Sequence, residues 1–349
     1  MSTPPITLPG QTATLLGDGR WLLLGGLHAG QAIATGGLLD PGTGTAAPVG
    51  DLAVARSGHS ATTLPDGSVL ILGGIGRDGR VVATVERFVP DTGQFQPISV
   101  PGLTPRTAHT ATLLTDGRLL VAGGQDDARQ PVAEAQLWDS RSGAIHALGG
   151  TPRVGHTATL QPDGTVRLSG GTDAAGIALS SSEVFDPGQS RLASVPSEAS
   201  PAPTTDPPQI RASVPSPDDV DVPTDGLIAL RASQPLRVGT ITDTSVVLSA
   251  PSGPVPARIV AAEGGLLVFV TPTAPLAPGT RYTVAVNGAE NRDGLPVPFT
   301  AVPFTTAPAA ASTTLTARGP QGITVAADAA VKGGGAEGDD SVWRGERRN

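Results

Sequence analysis

The chain of 349 residues lacks cysteine and has few aromatic residues, and each of these features excludes a kind of chemistry or packing. It contains no cysteine, and aromatic residues make up 3% of the sequence, with a single tyrosine. The missing cysteine excludes disulfides, thiolate catalysis and cysteine-ligated metals. Because aromatic side chains are so few, the hydrophobic cores must be packed mainly by leucine, valine, isoleucine and alanine.

The chain also lacks a basic surplus and long apolar runs. Its formal net charge is −8, and no basic stripe could neutralise a phosphate backbone, so no nucleic-acid partner is expected. No apolar run approaches the roughly eighteen residues that a membrane-spanning helix needs, so no membrane span is expected. The amino-terminal residues show neither the basic nor the apolar region of a signal peptide. Helices are expected to be nearly absent, because no segment keeps a helical period.

What the sequence does contain is a sixteen-residue pattern that recurs four times in its first half. The pattern reads His-x-Ala-Thr-x-Leu-x-Asp-Gly-x-x-Leu-x-x-Gly-Gly and occupies residues 11–26, 59–74, 109–124 and 156–171. Its final glycines are spaced 48, 50 and 47 residues apart. A fixed period of this size indicates a repeat architecture in which each unit is a small sheet that must stack on its neighbours.

Each repeat predicts four antiparallel strands. Asp-Gly between two short β-rich runs predicts a type I′ hairpin, because glycine adopts the positive φ that this turn requires. The Gly-Gly pair predicts a bend and a close backbone approach, and a third run carries an aromatic residue, as in Glu86-Arg87-Phe88. The repeat positions assigned a structural role are His59, His109, His156, Gly73, Gly74, Gly123, Gly124, Gly170 and Gly171.

These features resemble the kelch-repeat family. Arg-x-x-His opens the first strand of three repeats, at Arg56, Arg106 and Arg153, and is followed in order by the Gly-Gly pair and the Glu-x-aromatic strand. The resemblance implies an all-β fold with a kelch-like β-propeller over residues 1–195, with about four blades in a closed ring or an open arc. The first copy has Gln11 in place of histidine, as a terminal capping repeat would.

The remaining sequence predicts a second domain. Residues 196–206 are a proline-rich linker, and residues 207–306 contain about seven short β-rich runs with the spacing of an antiparallel β-sandwich. This segment, with its Arg281-Tyr282-Thr283-Val284 run, resembles the bacterial Ig-like modules of S-layer and other surface proteins. Residues 307–349 show no apolar period and are expected to be a disordered tail or connector. The whole resembles the amino-terminal part of larger bacterial surface proteins, including some with Rhs/YD repeats.

Two features could indicate a catalytic or metal site. The kelch fold also occurs in galactose-oxidase-like copper enzymes, whose site needs two tyrosines, one of them cross-linked to a cysteine, and two histidines. This chain has no cysteine, and its one tyrosine, Tyr282, lies in the second domain, so we expect no enzyme activity and no cofactor. The equivalent His59, His109 and His156 invite a three-histidine metal site. Their repetition instead favours hydrogen bonds between blades, so no metal is expected.

The repeated arginines could likewise form either a binding site or structural contacts between blades. Arg56, Arg106 and Arg153 could bind an acidic ligand. Because they recur at equivalent positions, we expect them to bond from blade to blade with carboxylates such as Glu86 or Glu183.

Function is expected on the most variable part of the repeats, the loops that join the second strand to the third at residues 27–33, 75–82, 125–132 and 172–179. Repeat scaffolds carry function on such loops. The candidate binding residues are Arg77, Asp78, Arg80, Asp126, Asp127, Arg129 and Asp173. We therefore predict a non-enzymatic protein-interaction or display module of an extracellular or cell-surface bacterial protein, with a protein or glycan ligand.

Two alternatives remain open for the same loops. One is a carbohydrate-binding or carbohydrate-active propeller, although the loops contain no Trp, Tyr or Phe on which a sugar could stack. The other is an inert spacer in a larger toxin or adhesin.

Overall fold

A computed structural model of the chain describes Pro5 and residues 7–196, 206–309, 315–318 and 324–327. These residues form strands and loops, with two short 3-10 turns at Val238–Thr240 and Glu263–Gly265, so the all-β prediction is confirmed. The chain divides into two compact units, Met1–Ala307 and Pro308–Asn349. Within the described ranges, no helix has the length and apolarity needed to cross a membrane.

Each sequence repeat forms one four-stranded antiparallel sheet whose strands pair in chain order. The first repeat contains β1 (Thr12–Leu15), β2 (Trp21–Leu24), the small hairpin β3 (Leu27–His28) and β4 (Gln31–Ala32), β5 (Gly36–Leu39) and β6 (Ala46–Val49). The second contains β7 (Ser60–Thr63), β8 (Val69–Leu72), β9 (Val85–Val89) and β10 (Gln94–Ile98). The third contains β11 (Thr110–Leu113), β12 (Arg118–Ala122), β13 (Ala135–Asp139) and β14 (Ile145–Leu148). The fourth contains β15 (Thr157–Leu160), β16 (Val166–Ser169), β17 (Ser182–Asp186) and β18 (Arg191–Val195).

The Asp-Gly turns differ from the predicted type I′ hairpin. In the second repeat the Leu64 N–H donates to the Ser68 carbonyl (2.7 Å) and the Gly67 N–H donates to the Leu64 carbonyl (2.9 Å). Three residues therefore lie between the paired ends, and of these only Gly67 has a positive φ, at 84°. This is a type I turn followed by a left-handed glycine. The same turn closes the first and third repeats, where the Leu16 N–H donates to the Arg20 carbonyl (2.9 Å) and the Leu114 N–H to the Arg118 carbonyl (2.8 Å), so it does not depend on Pro65.

The four repeat sheets stack through their first strands, with β1 against β7, β7 against β11, and β11 against β15. Apolar side chains fill the spaces between the sheets. Leu22 and Leu24 of the first repeat are buried with Ile71 of the second, and Leu70 of the second is buried with Val121 of the third. The stacking follows from the sequence pattern, because a single four-stranded sheet has two faces to bury and cannot do so alone.

Residues 206–307 form two facing sheets. Their strands are β19 (Ile210–Val214), β20 (Asp219–Val222), β21 (Ala229–Ala232), β22 (Val246–Ala250), β23 (Gly253–Pro254), β24 (Ala257–Ala262), β25 (Leu267–Pro272), β26 (Arg281–Val286) and β27 (Thr300–Thr306). One sheet has the order β19-β21-β25-β24 and the other β20-β27-β26-β22-β23. Leu230 and Val268 of the first sheet share a buried core with Val284 of the second. Tyr282 is buried in this core, and its hydroxyl accepts a hydrogen bond from the Ala277 N–H (2.8 Å).

This sandwich packs directly on the repeat sheets, at the end where their Asp-Gly turns lie. Phe269 of β25 is fully buried in one cluster with residues of β11 and β12. The Thr271 hydroxyl donates to the carbonyl of Pro65 in the second repeat (3.0 Å). Arg231 Nε donates to the carbonyl of Pro162 in the fourth repeat (3.0 Å). The two predicted domains therefore bury a common apolar cluster, which explains why residues 1–307 form one compact unit.

Residues 197–205, nearly all of the predicted linker, lie outside the described residues. Of the tail predicted for residues 307–349, the structure describes 307–309 and an antiparallel pair, β28 (Leu315–Arg318) and β29 (Thr324–Ala327).

Two turn glycines allow backbone strain to be separated from contact with the sandwich. Gly19 (φ 84°) has open space where a Cβ would stand, whereas a Cβ at Gly117 (φ 82°) would lie 3.1 Å from Leu227 Cδ2. We expect Gly19→Ala to lower the free energy of unfolding by about 1–2 kcal/mol through strain alone. Gly117→Ala should cost about 1 kcal/mol more, because Leu227 must also move. Urea unfolding of both variants measures this difference, and equal losses would contradict the packing of the sandwich on this turn.

Candidate functional site

In the second, third and fourth repeats, the base of the variable loop is held by a buried arginine. In the second repeat, the Arg56 side chain is fully buried, and its Nη1 donates to the carbonyls of Gly73 (3.1 Å) and Thr84 (2.9 Å). These two carbonyls lie two residues before and two residues after the loop at residues 75–82. Arg56 Nη2 donates to Glu86 Oε1 (2.6 Å), so a fully buried ion pair completes the arrangement. We call this arrangement the arginine clamp.

The third and fourth repeats contain the same clamp. Arg106 Nη1 donates to the carbonyls of Gly123 (3.2 Å) and Glu134 (2.8 Å). In the fourth repeat, Arg153 Nη1 donates to the Gly170 carbonyl (3.0 Å), and its Nη2 pairs with Glu183 (3.0 Å). Each arginine and its partner belong to one repeat. The prediction that these arginines bond from one repeat to the next is therefore wrong, because the arginine precedes the first strand and lies beside the third strand of its own sheet.

The third repeat has a neutral partner in the clamp. Arg106 Nη2 donates to Gln136 Oε1 (2.9 Å), and Gln136 Nε2 donates to the Gly102 carbonyl (2.9 Å). In the second repeat, Glu86 takes the place of Gln136, and its carboxylate accepts a hydrogen bond from the Ala53 N–H (2.7 Å). Burial lowers the pKa of Arg106 to about 10, although the charge of Glu134 acts in the opposite direction.

The Gly-Gly pairs bring neighbouring repeats together. The Gly74 N–H donates to the carbonyl of Arg106 in the next repeat (3.1 Å). A Cβ at Gly73 (φ 60°) would lie 2.0 Å from that same carbonyl oxygen. Glycine is therefore required at this position by both conformation and space. Equivalent contacts join Gly124 to Arg153 and Gly26 to Arg56.

The repeated histidines also lie between repeats. Each is buried, and its Nε2 forms a hydrogen bond with a hydroxyl of the preceding repeat: His59 with Thr12 (3.0 Å), His109 with Ser60 (2.9 Å) and His156 with Thr110 (2.9 Å).

Burial keeps these histidines neutral. It lowers the pKa of His59 and of His109 to about 3 and that of His156 to about 4. In the described part of the chain, no three histidine, aspartate or glutamate side chains are grouped to hold a metal ion.

The variable loops are short hairpins above the clamps. The bridges are Ile75 with Val81, Gln125 with Pro131, and Thr172 with Ala178. Neighbouring loops touch one another. Arg77 Nε donates to the Ala32 carbonyl of the first loop (2.9 Å), and the Asp127 carboxylate of the third loop accepts the Val81 N–H of the second.

Several of the predicted binding residues shape their own turns. Asp78 accepts the Arg80 N–H (3.1 Å), Asp126 accepts the Gln130 N–H (2.8 Å), and Asp173 accepts the N–H groups of Ala175 and Ile177 (both 2.9 Å). These carboxylates therefore stabilise the turns of their own loops.

The side chains that remain for a partner are Arg80, Arg129 and Ile177. The guanidinium groups of Arg80 and Arg129 are exposed and form no hydrogen bond or ion pair with the described residues. Ile177, which occupies the position of Arg80 in the fourth loop, is 64% exposed. Sequence reasoning missed Ile177, although alignment of the four loops places it in register with Arg80.

The loops and the sandwich lie at opposite ends of the repeat sheets. The sandwich contacts the turns between first and second strands, at Pro65 and Pro162, whereas the variable loops follow the second strands. The turn before a second strand and the loop after it lie at opposite ends of that strand. The contacts of the sandwich with the turns therefore leave the variable loops uncovered.

Comparison with known proteins supports part of this architecture. Residues 204–306 match the sequence profile of the bacterial Ig-like domain, so the sandwich is a bacterial Ig-like domain, as the sequence predicted. No curated protein matches the chain. Among solved structures, a fungal alcohol oxidase of the AA5 family in complex with copper is similar over 85% of each chain, with a TM-score of 0.42 and 12% sequence identity. A likeness this distant does not bear on whether the present chain is an enzyme.

The arginine clamp predicts a large difference between buried and exposed ion pairs. In Glu86→Gln the amide nitrogen would face the Ala53 N–H and the buried Arg56 would lose its counter-charge, so we expect the free energy of unfolding to fall by about 1–3 kcal/mol. The exposed pair of Arg237 and Glu290 is the control, and Glu290→Gln should cost less than about 1 kcal/mol. Urea unfolding measures both, and a Glu86→Gln loss no larger than the control would contradict the role of the clamp.

Proposed function

We propose that the four repeat sheets are blades of a kelch-type β-propeller, and that the chain is a non-enzymatic interaction or display module that binds a protein through its variable loops. The observation that carries the proposal is the position of the loops. They are exposed at the end of the sheets away from the Ig-like domain, and each of the second, third and fourth loops is anchored by an arginine clamp. A rigid base with variable, accessible loops is how repeat scaffolds present binding residues.

The two ends of the array support an open arc of four blades over a closed ring. Thr157 of the fourth repeat is exposed, and its hydroxyl donates to the Ser169 carbonyl of its own sheet (3.3 Å). The equivalent hydroxyls of the first three repeats bond to the histidine of the next repeat. The first repeat could not supply such a histidine, because it has Gln11 there. The fourth repeat also has Arg167 where the second has the buried Leu70, and a polar outer surface is what a terminal repeat requires.

The two loop arginines without an internal partner favour a protein that places carboxylates opposite them. Arg80 and Arg129 are exposed cations, and Ile177 adds an exposed apolar group. The loops hold no aromatic side chain, which speaks against a stacked sugar. The backbone of Arg129 adds support, because it has φ 61° where the second and fourth loops have Gly79 and Gly176. A strained non-glycine residue is retained at a cost in stability, which is often the sign of a functional side chain.

The non-enzymatic assignment rests on what the loops and the core contain. The single tyrosine is buried in the Ig-like domain and is occupied by a hydrogen bond to backbone. The three repeated histidines are buried between blades and bonded to hydroxyls. An extracellular or cell-surface location is consistent with a bacterial Ig-like domain, and we include it in the proposal.

Photocrosslinking of the 349-residue chain tests the binding surface. A photoreactive residue at position 177 should capture a partner, whereas the same residue at position 94, which is exposed on β10, should not. Reversing the loop charges by Arg80→Glu and Arg129→Glu should slow association roughly tenfold at low salt, because exposed charges steer encounter. Arg191→Glu, a charge reversal at an exposed position of β18, is the matched control and should change little.

The opposite pattern would contradict this proposal. Capture from position 94 but not from position 177, or equal effects of the loop and control reversals, would show that the partner binds elsewhere.

A further inference from the structure

The fourth repeat has an open end, since the described residues contain no further repeat sheet beyond it. The Gly-Gly pairs of the first three repeats are buried, whereas Gly170 and Gly171 are partly exposed. Gly155 and Thr157, at the start of β15, are exposed as well. We call these four residues the terminal rim. The rim lies at the end of the array and not at the loop tips, so a partner bound to it would be independent of the function proposed for the loops.

The joints between the repeats show what groups in this position bind. Three hydrogen bonds cross the joint of the second and third repeats: the Gly74 N–H to the Arg106 carbonyl (3.1 Å), the Ala108 N–H to the Gly58 carbonyl (3.0 Å), and His109 Nε2 with the Ser60 hydroxyl (2.9 Å). The groups that the third repeat contributes all lie within residues 106–109. One four-residue segment, the opening of the next repeat, therefore takes all three bonds.

The terminal rim carries the same three groups without such a segment. The Gly171 N–H, the Gly155 carbonyl and the Thr157 hydroxyl occupy the positions of the three groups that the second repeat uses. The Gly171 N–H and the Gly155 carbonyl form no hydrogen bond with a described residue. The Thr157 hydroxyl donates to the Ser169 carbonyl of its own sheet (3.3 Å), which leaves its oxygen able to accept a bond. The rim therefore repeats the arrangement that binds a repeat opening.

The space beside the rim is open where the other joints are filled. A Cβ at Gly73 would lie 2.0 Å from the Arg106 carbonyl oxygen, and a Cβ at Gly123 would lie 2.5 Å from the Arg153 carbonyl oxygen. A Cβ at Gly170 would meet no atom within 4 Å. An incoming backbone carbonyl therefore has room to accept the N–H of the next residue, Gly171.

The joints also define the sequence that fits the rim. The third residue of each opening segment has a positive φ: 68° at Gly10, 65° at Gly58, 52° at Ala108 and 67° at Gly155. Glycine adopts this conformation without strain. The fourth residue is histidine in the second, third and fourth repeats. The rim therefore fits a segment whose third and fourth residues are Gly-His.

A second copy of this chain offers no free segment of this kind. Its openings at Arg56, Arg106 and Arg153 are bonded within its own array, and its first repeat has Gln11 in place of histidine. The sheet behind the rim is also more polar than in the internal joints, with the partly exposed Ser169 where the third repeat has the buried Ala122. A docked segment would bury less apolar surface there, which suits a separate partner that binds reversibly.

We propose that the terminal rim binds a different protein at a strand opening of sequence x-x-Gly-His, in the way that each repeat of this chain binds the next. The Gly171 N–H would donate to the carbonyl of the first residue of that segment. The Gly155 carbonyl would accept the N–H of its glycine, and the Thr157 hydroxyl would bond to its histidine.

NMR titration of the 349-residue chain with a peptide of residues 56–62, Arg-Ser-Gly-His-Ser-Ala-Thr, tests the rim. The Gly171 amide signal should shift with half-saturation at about 5 mM, as three hydrogen bonds of ordinary net strength would give. The same peptide with His59→Ala should bind about fivefold more weakly, because it loses one of the three bonds. Thr157→Val in the chain should have an effect of the same size, because it removes the other partner of that bond.

A glycine variant tests the space beside the rim. Gly170→Ala places a methyl group where the incoming carbonyl oxygen would lie, so it should abolish the shift. Gly143→Ala is the matched control, since Gly143 also has a positive φ (77°) and open space for a Cβ but lies in the β13–β14 turn. It should bind the peptide as the unmodified chain does.

The same titrations can overturn the proposal. No shift of the Gly171 signal at about 20 mM peptide, equal binding by the two peptides, or equal binding by Gly170→Ala and Gly143→Ala would each do so. A Gly171 shift that grows with the concentration of the chain alone would assign the rim to a second copy and would also contradict the proposal. If Gly170→Ala does not fold, Thr157→Val decides, because Thr157 is exposed, and an unchanged affinity would count against the rim.

Discussion

The arginine clamp is the interaction on which the rest of the repeat structure depends. A guanidinium can be buried completely only if nearly all of its N–H donors find acceptors. Arg56 meets this condition with a carboxylate and two carbonyls that stand at the two ends of one loop. The requirement to satisfy a buried charge thus fixes the base of a loop whose own sequence is free to vary.

The contacts between repeats extend this constraint along the array. The carbonyl of each clamp arginine accepts a hydrogen bond from the Gly-Gly pair of the preceding repeat, as Arg106 does from Gly74. A neutral histidine binds a hydroxyl of the same preceding repeat. Clamp, glycine pair and histidine therefore form one linked set, which explains why the three features recur together in the sequence at a fixed spacing. The Ig-like domain packs on the opposite end of the repeat sheets, where the Asp-Gly turns lie, and shares an apolar cluster with them. Its Glu263 side chain also accepts a hydrogen bond from the Leu113 N–H at the edge of β11.

The sequence predicted the features that depend on local pattern. The repeats, their four strands and the extent of the Ig-like domain all follow from periodic apolar residues and turn signals, and the structure contains each of them. The predicted turn type is wrong because three residues, not two, lie between the paired strand ends, and Asp66 does not adopt the positive φ that a type I′ turn requires. The predicted partner of Arg56 lies in the wrong repeat, because distance along the chain does not reveal that a strand opening lies beside the third strand of its own sheet. The packing of the Ig-like domain on the repeats depends on surface complementarity between segments more than a hundred residues apart, as in the contact of Thr271 with Pro65, and no local pattern encodes it.

Hydrogen exchange of the amides in the second loop is the most direct test of the central claim, that the clamp holds a rigid base beneath accessible loop tips. The Val82 N–H bonds to the Gly74 carbonyl (2.9 Å), so it should exchange as slowly as the amides of β8, while the amide of the exposed Asp78 exchanges quickly. In Glu86→Gln the protection of Val82 should fall toward that of the tip. Rapid exchange of Val82 in the unmodified chain, or unchanged protection in Glu86→Gln, would contradict the account.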